Sequence, residues 1–153
     1  MHEAVERHLL LLRIVAAAYL LTLGALAVIV GVVEPPTPPL LPQSVHLAWA
    51  LLALAVVNLA TLLPVHRAML AGPQRVFRHS RQLQPLLRAH LVAHLVTYSR
   101  VEAVSIFGLV LFLLSGRTDW FWIFAAPAAV GMLVLWPTAE KLEELLGEPT
   151  SSL

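Results

Sequence analysis

Four side chains able to move protons or ligate metal recur at every fourth position of one stretch: His90, His94, Tyr98 and Glu102. Ser105 follows three residues after the glutamate. On a helix these positions share a face. The stretch Arg88–Gly116 therefore reads as an apolar rod carrying one polar stripe. Ionisable groups at membrane depth are costly and usually turn toward the inside of a bundle. Glu102 is thus a candidate for loading and releasing a proton or cation, with His94 and Tyr98 as the approach to it. Arg100 stands about 200° around the helix from Glu102, so the two do not face each other. Arg100 is expected to reach the headgroups along its apolar stem. Glu102 is expected to meet Arg13, or the amide and hydroxyls of other helices. The candidate polar core is Glu102, Arg100, Arg13, Tyr98, His94, Ser105 and Asn58. The structural alternative is a buried ion pair or protonated Glu102 that fixes helix register.

The histidines offer a second chemistry. His8, His66, His90 and His94 all fall near one membrane boundary. His90 and His94, one turn apart, make a workable metal pair, with His66 as a third candidate. Two histidines on different helices at similar depth could also hold haem b. The alternative is interfacial histidines in contact with headgroups, and no resident cofactor is expected. The chain has no Cys, which excludes thiolate nucleophiles, disulfide exchange and Cys-ligated metal sites. It has no Gly-rich phosphate loop, no Ser nucleophile elbow and no HExxH. It is not expected to be an enzyme.

These groups must be positioned by membrane helices. Of 153 residues, 59% are hydrophobic and 12% charged, too little polar surface for a soluble domain of this size. Net charge is +1, so nothing points to nucleic acid. About 20 apolar residues cross the hydrocarbon core. Four stretches are long enough or nearly so: residues 9–33, 45–63, 94–115 and 120–136. The first is too long for a cleaved signal peptide. Its Gly24 and Gly31, among several alanines, give a small face for close helix contact. The connector 34–43 holds five prolines and is expected to be stiff and extended. Ser44 can cap the second span, which Pro64 closes.

Residues 65–87 read as a basic loop with Arg67, Arg75, Arg78 and Arg81, and Arg88 just beyond. Gly72-Pro73 is expected to break any helix there. Residues 74–87 are expected to form a short surface helix, its arginines in the headgroups. Trp120, Trp122 and Trp136 bracket the fourth span as an aromatic belt. Pro127 should kink that span, and Thr138 can cap a short acidic helix at 140–146 before a frayed tail. The arginines place the middle loop and both termini in the cytoplasm, giving an all-α, up-down four-helix bundle, N-in and C-in.

The run Glu102-Ala103-Val104-Ser105-Ile106-Phe107-Gly108-Leu109-Val110 resembles the second helix of the proteolipid c subunits of rotary ATPases. Arg81-Gln82 and Pro85 are similar to that family's cytoplasmic Arg-Gln-Pro loop, with two residues inserted. The resemblance covers residues 81–116 and implies that Glu102 is the ion-binding carboxylate, with Ser105 as co-ligand. Span 2 has no glycine, where that family's first helix carries a Gly repeat. Arg88-Ala89-His90 is similar to part of an Arg, Asn and Glu pattern in membrane-associated glutathione transferases, without its Asn and Glu. The first expectation for function is a small inner-membrane protein of a bacterial cytoplasmic membrane. It would serve as a non-enzymatic structural or accessory subunit, partnered by lipid and by other membrane subunits or its own copies. The second is proton or cation handling through Glu102. Haem b binding is the third.

Overall fold

Helices account for nearly all of the computed structural model, which describes residues 2–34 and 44–147. No strand occurs among the described residues. The helices are α1 (His2–Val32), α2 (Ser44–Ala60), α3 (Leu62–Ser80), α4 (Leu83–Ser115), α5 (Thr118–Val134) and α6 (Ala139–Leu146). The expected extended connector, the side chain of Ser44 and the tail after Gly147 lie outside the described residues.

Three stretches are long and apolar enough to cross a membrane: Glu3–Val32, Val45–Ser80 and Leu83–Ser115. A fourth would be α5 taken together with α6, which meet at a 58° bend. The outward faces carry Leu21, Val28, Val32, Trp49, Val57 and Leu133, all exposed. So much contiguous apolar surface suits lipid better than water.

The middle of the chain differs from the sequence reading. Residues 65–87 are not a loop. Backbone hydrogen bonds run across Thr61, from Thr61 N to Val57 O and from Val65 N to Thr61 O. The chain from Val45 to Ser80 is consequently one rod. Pro64 falls in the first turn of α3, where a missing N–H costs little. Gly72-Pro73 lies inside α3 and does not end it. The helix survives because Leu62, Leu70 and Phe77 are buried along one face, and tertiary packing outweighs local propensity. It stops at Arg81, which takes the left-handed conformation (φ 56°). Leu83 then starts α4 about three turns before the expected span start at His94, with Pro85 again tolerated in a first turn. Arg67, Arg75, Arg78, Arg81 and Arg88 are all exposed at this end.

Packing centres on α4, which touches α1, α2, α3 and α5. One apolar cluster fills the bundle and includes Tyr98, Val101, Val104, Leu111, Phe112, Phe121 and Phe124. A second, smaller one lies at the basic end: Leu9, Phe77, Leu86, Leu87, Leu142 and Leu146. Of the expected small face of α1, Ala27 packs on the bundle core, whereas no described residue lies within 4 Å of a Cβ at Gly24 or Gly31. Close approach occurs at Gly108 instead. A Cβ there would stand 2.9 Å from the Phe121 carbonyl oxygen and 3.0 Å from Phe124 Cβ. Thermal or denaturant unfolding in detergent should show Gly108→Ala costing about 1–3 kcal/mol, the range for overpacking. Gly24→Ala should stay within about 0.5 kcal/mol of the parent. Equal effects would mean that α4 and α5 do not pack through Gly108.

Candidate metal centre

Three helices bring imidazoles to one layer between the two apolar clusters. His8 comes from α1, His66 from the second turn of α3, and His90 and His94 from successive turns of α4. His8, His90 and His94 are buried, and His66 is partly buried. One ring nitrogen from each of His66, His90 and His94 lies within 4.8 Å of the others. The rings of His90 and His94 meet edge to face at 4.6 Å, those of His66 and His94 at 4.8 Å.

Hydrogen bonds set the ring orientations. The single Thr97 hydroxyl proton goes to the Ala93 carbonyl at 2.6 Å. Its oxygen therefore accepts from His66 Nδ1 at 3.0 Å. That arrangement puts the proton of a neutral His66 on Nδ1 and leaves the Nε2 lone pair free. His90 Nδ1 lies 3.1 Å from His8 Nε2, and His90 Nε2 lies 3.2 Å from His94 Nε2. His8, His90 and His94 thus form a chain whose protons can run either way. In one direction His94 keeps a bare lone pair on Nδ1; in the other it keeps an N–H there. That nitrogen is buried and has no partner among the described residues. An orphaned donor is the rarer defect, which favours protons pointing from His94 toward His8.

Two of these nitrogens suit a transition ion as they stand, and the third, from His66, lies within 4.8 Å of them. Two nitrogens on one tetrahedral zinc, each about 2.0–2.1 Å from it, stand roughly 3.3 Å apart. His90 Nε2 and His94 Nε2 already have that bite, and the metal would replace the proton between them. Ligating histidines normally donate their other N–H to an outer partner. His66 has Thr97 for this, and His90 has His8. His94 Nδ1 would carry the N–H of a ligated His94, and among the described residues it lacks such an outer partner. Beside the three rings lies a cavity of about 360 Å³, also lined by Arg67, Lys141 and Glu144.

The acidic helix closes this cavity. Thr138 caps α6 as expected, accepting from Lys141 N. Lys141 Nζ donates to the carbonyls of Val134 at 2.8 Å and Trp136 at 3.1 Å, satisfying the open C-terminal end of α5. Gln74 on α3 donates to Leu145 O. Tyr98 donates to Leu135 O at 2.9 Å from inside the bundle.

The expected polar core around Glu102 is not assembled. Arg100 turns to α2, bonding Asn58 and Thr61. Arg13 is exposed. Ser105 bonds the backbone carbonyl of Glu102, not its carboxylate. Glu102 is half-buried, with no side-chain partner among the described residues. Of the stripe on α4, His90, His94 and Tyr98 are buried and Glu102 is left at its margin. Thr97, Lys141 and Glu144 belong to the site and were not singled out from sequence. Thr97, three positions after His94 on the same face, was the available signal.

Comparison with protein-family models, with curated proteins and with solved structures finds no match. Function has to be read from the site. Lys141→Met should free α6 from the end of α5. Amide exchange over Ala139–Leu146 should then rise at least about tenfold by mass spectrometry, with α4 unchanged. Unaltered exchange would mean that the lysine does not hold the helix.

Proposed function

We propose that this is an integral membrane protein that binds a divalent first-row transition ion, zinc being the simplest case, through His66, His90 and His94. The observation behind this is the convergence of three histidine nitrogens, two of them on rings already held by outer partners. Neutral imidazole suits zinc, copper, nickel and iron. Three protein ligands leave a coordination position for water or substrate, and the adjoining cavity gives it room. In our reading there are four spans, α5 with α6 being the last. The exposed arginines at the histidine end support a cytoplasmic side for it, and the ion would be exchanged there. Haem b is less suited, since nitrogens 3.1–3.2 Å apart leave no slot for a macrocycle.

A second reading keeps a proton- or cation-handling role for Glu102. It rests on the half-buried carboxylate without a side-chain partner among the described residues. Glu102→Gln should abolish proton or cation flux into liposomes; flux equal to the parent's, or none in the parent, removes it.

For the metal reading, metal-free protein should bind a single zinc per chain. Cobalt substitution should give the intense visible bands of a tetrahedral site. Replacing both His90 and His94 with Ala should abolish binding. His8→Ala should keep the site but weaken it about 10–100-fold, as loss of an outer partner does. Zinc retained by the double variant, or absent from the parent, overturns the proposal.

A further inference from the structure

Arg100 is held in an unusual way for a cation inside an apolar helix. Its Nε donates to Asn58 Oδ1 at 2.7 Å. Its Nη2 donates to Asn58 O at 3.1 Å and Thr61 Oγ1 at 2.6 Å. Asn58 Nδ2 returns a bond to the Arg100 carbonyl at 3.0 Å. Every acceptor is neutral. Among the described residues no carboxylate pairs with Arg100, and both protons of Nη1 lack a protein partner. A guanidinium cannot shed its charge, and in an apolar setting an uncompensated charge is expensive.

Arg100 also lines a groove of about 630 Å³ between α2 and α4, whose walls include Leu54, Val57, Leu95, Val96 and Ala103. The groove faces outward, away from the histidine layer. Its depth is set by α4. From Arg100 to the end of the helix at Ser115 is about 22 Å. With Ser115 at one edge of a hydrocarbon layer about 30 Å thick, Arg100 lies about 8 Å inside the other edge, toward the basic end. A lipid phosphate at that edge is within reach of an extended arginine.

We propose that this groove is a binding site for one anionic phospholipid, its phosphate on Arg100 Nη1 and one acyl chain along the aliphatic walls. The headgroup supplies the missing negative charge, and the fork of a guanidinium suits phosphate oxygens. Asn58 and Thr61 act as positioning residues that aim the unused edge of the guanidinium. The site is independent of the metal reading, since no histidine takes part.

Native mass spectrometry of the detergent-purified protein tests this. The parent should retain one palmitoyl-oleoyl phosphatidylglycerol at least tenfold more tightly than phosphatidylcholine with the same chains. Arg100→Gln should bring the two lipids level. Arg88→Gln, a surface change at the same end, should leave the preference intact. Ala103→Phe keeps the arginine and fills the groove; it should also lose the lipid. Thermal unfolding of each variant shows whether the clamp to α2 has failed instead. The proposal is overturned if the parent shows no preference. It is equally overturned if Arg100→Gln keeps the preference, or if Arg88→Gln lowers it as far as Arg100→Gln does, which would make general surface charge the cause.

Discussion

An imidazole has two ring nitrogens, and burial leaves each of them few partners to choose from. Four such rings share one layer here, and the basic end of the bundle is built around meeting their demand. His8 reaches in from α1 to serve His90, and Thr97 serves His66 while passing its own proton to the backbone. Apolar packing holds the layer from both sides. Burying Phe77, Leu142 and Leu146 contributes on the order of 1.5–3 kcal/mol each. One nitrogen left without a partner costs about 1–3 kcal/mol. The clusters can carry that defect.

α6 shows how the closure depends on single contacts. Eight residues do not make a stable helix alone. This one is fastened by Lys141 on the last carbonyls of α5, by Gln74 from α3, and by two leucines in the smaller cluster. The same lysine therefore ends one helix and anchors the next, and the bend between them places the cavity beside the histidines. Tyr98 secures the junction from the opposite side through Leu135.

Much of this was readable beforehand and some was not, for definite reasons. The apolar rods and the stripe on α4 follow from composition and a four-residue period. The histidines could be named as a group because they fall at matching distances from the span ends. What sequence could not supply was rotation. α1 is apolar nearly all round, so no period shows that Leu12 and Ala16 face inward while Arg13 faces out. Without that phase, Arg13 was free to be paired with Glu102 on paper. The basic loop failed differently. Gly72-Pro73 and Pro64 are local signals for a break, whereas Leu62, Leu70 and Phe77 act through tertiary packing, chiefly of α3 against α4. Gly108 was legible as a small residue within a family-like run; only the structure ties it to the backbone of Phe121.

Arginine and histidine end up in different places because only one of them can be neutral. Imidazole without its extra proton is a polar but uncharged group, and a network of its own kind can absorb it into a core. Guanidinium keeps its charge wherever it is put. A core of neutral side chains can supply hydrogen bonds to it but not a counter-charge. Arg100 illustrates the division: Asn58 and Thr61 occupy three of its N–H groups, and the remaining edge stays at an open groove. Arg67 and Lys141 already border the histidine cavity, and turning Arg100 to it would add a third fixed positive charge at short range. Placing it against α2, around the helix from that layer, keeps the two chemistries apart on a single shaft. A bundle this thin can then bury a cluster of neutral rings and still carry a fixed positive charge on the same helix.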